Sequence, residues 1–153
     1  ITMLINFFKM FISFSLVAGM MLIYKVPLSP KMLYFFPILA VLLAFTFGIS
    51  TMVLHFGVFV EDLKNIISVL FKLIFYLSGI FYSLEKRVPA PYGTLMLRAN
   101  PIAYLINEFR RVLLYNQWPD QCALLFWLAS SLFLSYLGIR IIYKNENSYI
   151  KVI

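Results

Sequence analysis

The chain has 153 residues, of which 63% are hydrophobic and only 12% charged, against about 45–50% and about 25% in soluble domains. That leaves too little polar surface to coat a water-soluble globule, and the apolar residues fall in long blocks, so the solvent of this chain is lipid. The net charge of +7 does not point to nucleic acid, because the 13 Lys and Arg are scattered and no dense basic cluster interleaves with aromatics; in membrane proteins such charges sit at headgroups or flank spans.

The expected fold is therefore all-α, a polytopic transmembrane bundle of about four spans plus one short amphipathic helix. The first span is expected over 3–24, apolar apart from Asn6, Lys9 and small serines. At 1.5 Å per residue it reaches about 33 Å, and Lys9 can snorkel to the nearer interface. The chain begins Ile1-Thr2-Met3 with an apolar stretch already under way, which suggests a piece of a longer protein. A short link, Lys25-Val26-Pro27-Leu28-Ser29-Pro30-Lys31, breaks the helix and sends the next span back antiparallel. That second span is expected over 33–59, with Pro37 tolerated in its first turns. His55 near its far end reads as an interfacial or packing residue, with a proton-relay or substrate role as the alternative.

The charged turn Glu61-Asp62-Leu63-Lys64-Asn65 precedes a third span expected over 66–82. Lys72 lies inside it and either snorkels or faces a polar pathway. Residues 84–120 break the pattern. Glu85 to Gly93 form a polar, turn-rich loop, and Asn100-Pro101 then supplies an N-cap and a first-turn proline. The helix opened there carries Ile102, Leu105, Ile106, Phe109, Val112 and Leu113 at helical spacing, with Asn107, Glu108, Arg110 and Arg111 on the other face. Glu108 and Arg111 can pair at i, i+3. This helix is too short and too charged to span, so it should lie at the interface or dip partway in, with Trp118 at headgroup level. The last span is expected over 122–143. Cys122 opens it and reads as a buried thiol; one cysteine excludes an internal disulfide.

Charge alone does not decide which way round the bundle sits, because Lys and Arg flank both ends of the spans. Chemistry signals are few. GxxxxGK[ST], HExxH and GxSxG do not occur in the sequence. One His and one Cys cannot supply an ordinary zinc site, and the six carboxylates are spread over separate polar regions. No catalytic residue, metal or cofactor is expected in this chain.

Three stretches carry a family resemblance. Gly57-Val58-Phe59-Val60-Glu61-Asp62-Leu63-Lys64-Asn65 is similar to a short aromatic-Arg-Asp-Leu turn. Phe75-Tyr76-Leu77-Ser78-Gly79-Ile80-Phe81-Tyr82 resembles a Phe-Tyr-Leu-Ser-Pro-Ile-Phe-Tyr run. Asn100-Pro101-Ile102 through Glu108-Phe109-Arg110 to Leu113-Leu114-Tyr115 looks like an Asn-Pro-Leu…Tyr-Arg…Leu-Leu block. In that order and spacing they resemble the C-terminal half of ABC-2 type permeases, and among these the exporters of O-antigen, capsule or teichoic acid. Glu61 stands where the family has Arg, and Gly79 where it has Pro.

The resemblance implies that the chain is the C-terminal part of one ABC-2 transmembrane domain in a bacterial cytoplasmic membrane. It implies both ends of the chain on the cytoplasmic side, and residues 84–120 as an extracytoplasmic re-entrant or gating element. It also implies a second permease copy and a separate ATPase subunit, which would bind the ATP and Mg. The cargo would be a glycan or polyol-phosphate chain on a lipid pyrophosphate, for which cationic and aromatic groups form a pathway. Lys72, Tyr76, Tyr82, Arg110 and Arg111 are the candidates for that pathway; Asn100, Pro101 and Glu108 shape the gating helix; and Glu61 and Asp62 are candidates for the coupling turn. The alternatives are an ABC-2 exporter of drugs or small lipids, and a membrane-embedded enzyme modifying glycans or lipids.

Overall fold

A computed structural model describes residues 2–27, 29–60, 62–80, 88–89 and 92–146. They form α1 (Thr2–Ile23), a short 3-10 helix (Pro30–Tyr34), α2 (Phe35–Phe59), α3 (Leu63–Leu77), α4 (Tyr92–Ala99), α5 (Pro101–Leu113) and α6 (Gln121–Lys144). No strand occurs among the described residues. Residues 1–30 and 31–153 are two separate compact units. The first is α1, an apolar helix of 22 residues with Lys9 exposed on it.

Three helical stretches are long and apolar enough to cross a membrane: Leu4–Ile23, Pro30–Phe59 and Gln121–Lys144. Each matches an expected span to within a few residues. The third expected span departs from expectation. α3 has 15 residues, or about 22 Å, against a hydrocarbon core of about 30 Å. It begins three residues earlier than the sequence suggested and stops at Leu77. The physical reason is Gly79, whose φ of 62° is left-handed and closes the helix just beyond the Ser78 cap. Tyr82 lies outside the described residues, as does Glu61.

Packing in the larger unit nonetheless fixes the direction in which α3 runs. α2 and α6 share the most extensive interface. Along it Ala44 meets Ser135, Gly48 meets Leu134 and Ser135, and Thr51 meets Gly138. Both sequences ascend together, so the two helices run parallel. Meanwhile Lys31 Nζ donates to the Asn116 carbonyl at 2.8 Å, and Gln121 Nε2 donates to the Tyr34 hydroxyl at 3.0 Å. The chain leaves α2 at Phe59 and is back at the opposite end of α2 before α6 starts. α3 takes it back.

The α2–α6 crossing is set by small residues. A Cβ on Gly48 would sit 2.9 Å from the Ser135 backbone nitrogen, and one on Gly138 would sit 2.0 Å from Thr51 Oγ1. Close backbone approach of this kind is what holds helices together in lipid, where burial of apolar surface gives no drive. Ser135 Oγ adds an interhelical bond to the Ala44 carbonyl at 2.9 Å. Nearer the start of α2, a core of Ile38, Val41, Tyr104, Leu105, Val112 and Leu124 joins α2, α5 and α6. Because Ile38 and Val41 lie one to two turns inside α2, α5 is sunk beside the span and is not laid flat on its end.

Candidate functional site

α4 and α5 form a pair of short helices joined by Asn100 alone. Tyr92 and Gly93 were expected in a polar loop and residues 94–99 were assigned to no element; the short apolar run Leu95, Met96 and Leu97 is less than one helical turn and too short to register as a helix. The α5 cap was legible. Asn100 Oδ1 accepts from the Ile102 and Ala103 backbone N–H groups at 3.0 and 3.3 Å, and Pro101 fills the first helical position. Asn100 also does something the sequence did not reveal. Its Nδ2 donates to Ser78 Oγ at 3.1 Å, tying the start of α5 to the end of α3.

The two adjacent arginines face different ways, as a helix requires of neighbours. Arg110 reaches back to the same turn of α3, donating to the carbonyls of Gly79 (3.1 Å) and Ile80. These carbonyls belong to the turn that follows α3, and a cation there complements the negative end of the helix dipole. Arg111 donates to Glu108 Oε1 at 3.0 Å, the ion pair expected from the i, i+3 spacing. Both arginines are thus held by the protein itself.

Glu108 corrects the sequence reading. It and Asn107 were placed on a polar face at the interface, yet Glu108 is 1% exposed and Asn107 8%. The polar face of α5 is turned into the protein because it has partners there. Glu108 Oε2 accepts from the Asp120 backbone N–H at 3.1 Å, and the Tyr104 hydroxyl, one turn earlier on α5, donates to the Asp120 carbonyl at 2.9 Å. Asp120 in turn caps α6, its Oδ1 accepting from the Ala123 N–H at 3.2 Å. Burial raises the Glu108 carboxyl above the ordinary range, opposed by Arg111 and by the Asp120 N–H. Burial, then the Glu108 and Asp120 charges, push the Tyr104 phenol up. Asn107 Nδ2 has no hydrogen-bond partner among the described residues, at a cost of about 1–3 kcal/mol. This helix face carries more polarity than packing alone needs. Asp120 could have been found from sequence, as the Asp directly before an apolar run.

The other candidates are placed apart from this cluster. Lys72 and Tyr76 are exposed, one turn apart on α3, and Tyr76 keeps 70% of its surface. Asp62 is exposed in the α2–α3 turn. His55 packs edge-on against Phe56 and Phe59 on its own helix. Cys122 is exposed, against the expectation of a buried thiol: it sits in the first turn of α6, where Leu124 takes the inward position. Trp118 is exposed, with Tyr34 edge-on at 5.6 Å and Lys31 Nζ 5.5 Å from its ring centre. No group of three His, Cys, Asp or Glu able to hold a metal occurs among the described residues.

Fold and site together define a multi-pass all-α membrane protein whose sunken helix pair latches the end of α3 and the start of α6. Over 108 residues the chain is 27% identical to the O-antigen export system permease protein RfbA of Myxococcus xanthus, taking in 64% of this chain and 42% of that protein. The similarity agrees with the ABC-2 permease resemblance carried by the three motifs. The chain spans about two fifths of the length of this relative. No family model matches, and no solved structure matches.

Proposed function

We propose that the chain is part of the permease subunit of an ATP-driven exporter that moves a lipid-linked polysaccharide, O-antigen or teichoic acid across a bacterial cytoplasmic membrane. The observation that carries this reading is the similarity to an O-antigen export permease over 108 residues. The sequence lacks a phosphate loop, which suits a division of labour in which a separate ATPase subunit hydrolyses ATP and a second permease copy completes the pathway. Under this reading α4 and α5 are the gate on the far side of the membrane. Lys72 and Tyr76 are the exposed cation and aromatic that a pyrophosphate-linked sugar chain would pass. Arg110 and Arg111 act through the gate they hold together.

The test is deletion of the gene in its host, followed by labelling of surface glycan and of the lipid-linked precursor. Accumulation of precursor inside with loss of glycan outside, restored by the gene together with its ATPase partner, supports the proposal. Normal surface glycan in the deletion strain refutes it.

A further inference from the structure

Beside the latch lies an open pocket of about 320 Å3, lined by Arg98, Tyr104, Asp120, Cys122, Ala123, Phe126 and Trp127. Its charges come from different elements. Arg98 closes α4 and is exposed, and it forms no ion pair or hydrogen bond with any described residue. Asp120 caps α6; one of its oxygens serves the Ala123 N–H, and a carboxylate has capacity to accept more. Among the described residues the pocket therefore offers one unpaired cation and one carboxylate, a pattern that suits a zwitterion better than a simple anion or a simple cation.

The polarity is also graded. From Asp120 through Cys122 and Ala123 to Phe126 and Trp127 the wall descends about 10 Å along α6, from charged to fully apolar. Below it Leu125 and Phe126 keep 65% and 63% of their surface, facing what surrounds the span. A wet, charged end over a greasy wall at the end of a crossing is the order of groups in a phospholipid.

We infer that this pocket holds the zwitterionic headgroup of a phospholipid bearing a primary amine, its phosphate on Arg98 and its ammonium on Asp120, with its apolar part along Phe126 and Trp127. Guanidinium–phosphate and ammonium–carboxylate contacts are charge-assisted. A lipid diphosphate shares the phosphate chemistry but brings no amine, so Asp120 opposes it. An ion pair of this kind costs about tenfold in binding when one partner is neutralised.

The experiment is native mass spectrometry of the detergent-solubilised chain titrated with phosphatidylethanolamine, phosphatidylglycerol or a polyprenyl diphosphate at equal concentrations. Wild type is expected to retain phosphatidylethanolamine at least several-fold over the other two. Arg98→Gln should lose about tenfold, and Arg98→Lys should keep the preference. Asp120→Asn, which still caps α6, should turn the preference toward phosphatidylglycerol, a shift that mere unfolding would not produce. Equal or better binding of phosphatidylglycerol to wild type overturns the inference, as does preferential binding of the diphosphate or an unchanged Asp120→Asn selectivity. None of these readouts involves export, so they stand or fall independently of the proposed transport function.

Discussion

Gly138→Ala tests the parallel crossing of α2 and α6 directly. The added methyl would lie 2.0 Å from Thr51 Oγ1, 2.9 Å from Thr51 Cβ and 3.4 Å from the Gly48 carbonyl oxygen. Thr51 cannot simply swing away, because its hydroxyl donates to that same Gly48 carbonyl at 2.8 Å. Restoring ordinary contact distances means moving the helices apart by roughly 1 Å, and overpacking of this kind costs about 1–3 kcal/mol. For a chain of this size each kcal/mol lowers the melting midpoint by about 2–4 °C. The assay is thermal unfolding in one detergent, followed by near-ultraviolet circular dichroism. Two companions sharpen it. Thr51→Ala removes the nearest atom and leaves the 2.9 Å contact, so adding it to Gly138→Ala should recover part of the loss, with a coupling of about 1 kcal/mol. Gly19→Ala, whose methyl would meet nothing within 4 Å, should hold or raise the midpoint through helix propensity, by up to about 1 kcal/mol. If Gly138→Ala melts with wild type, the close crossing described above is wrong.

Further expectations concern the latch and the pathway. Asn100→Ala should cost about 1–2 kcal/mol by uncapping α5; Asn100→Asp keeps the cap but not the bond to Ser78 and should lose less, as read by the same melts. Gly79→Pro, which restores the residue of the resembled family, should destabilise, since proline is fixed near φ −65° and this site sits at 62°; a stabilised Gly79→Pro protein would contradict the left-handed turn. Glu108 titrates above its ordinary value in the folded chain, so the native state holds its proton more firmly than the unfolded one. Its contribution is then fully present below the ordinary carboxylate range and is lost as pH rises through the raised value. Glu108→Gln should flatten that part of the stability–pH curve, and an identical slope in both proteins would count against the buried carboxylate. Lys72→Ala should lower export of labelled glycan while membrane insertion and ATPase association persist; unchanged export removes Lys72 from the pathway.

What could be read in advance was what the chain encodes locally. The long apolar blocks fix α1, α2 and α6 because lipid permits little else, and Asn100-Pro101 marks the start of α5 because capping involves residues two or three apart. The Glu108–Arg111 pair followed from helix geometry for the same reason. The misreadings share the opposite character. Glu108 looked solvated because its partners, the N–H of Asp120 and the Tyr104–Asp120 bond, come into range only once α5 folds against α6. α3 was drawn too long because apolarity continues past Leu77, and hydrophobicity does not reveal a left-handed glycine. Arg110 was read as a group open to substrate or lipid, and only the folded chain shows it seated on the carbonyls of the turn that follows α3. Cys122 was read from its apolar neighbours, although in the first turn of a helix one residue in two faces out.

Backbone contact between α2 and α6 has a mechanical corollary. With glycine carbonyl, threonine hydroxyl and serine nitrogen interlocked at the crossing, neither rod can slide or turn against the other without collision. Any rearrangement of this part of the molecule must carry the two as one stiff beam, whereas α2 meets α3 across a far sparser contact.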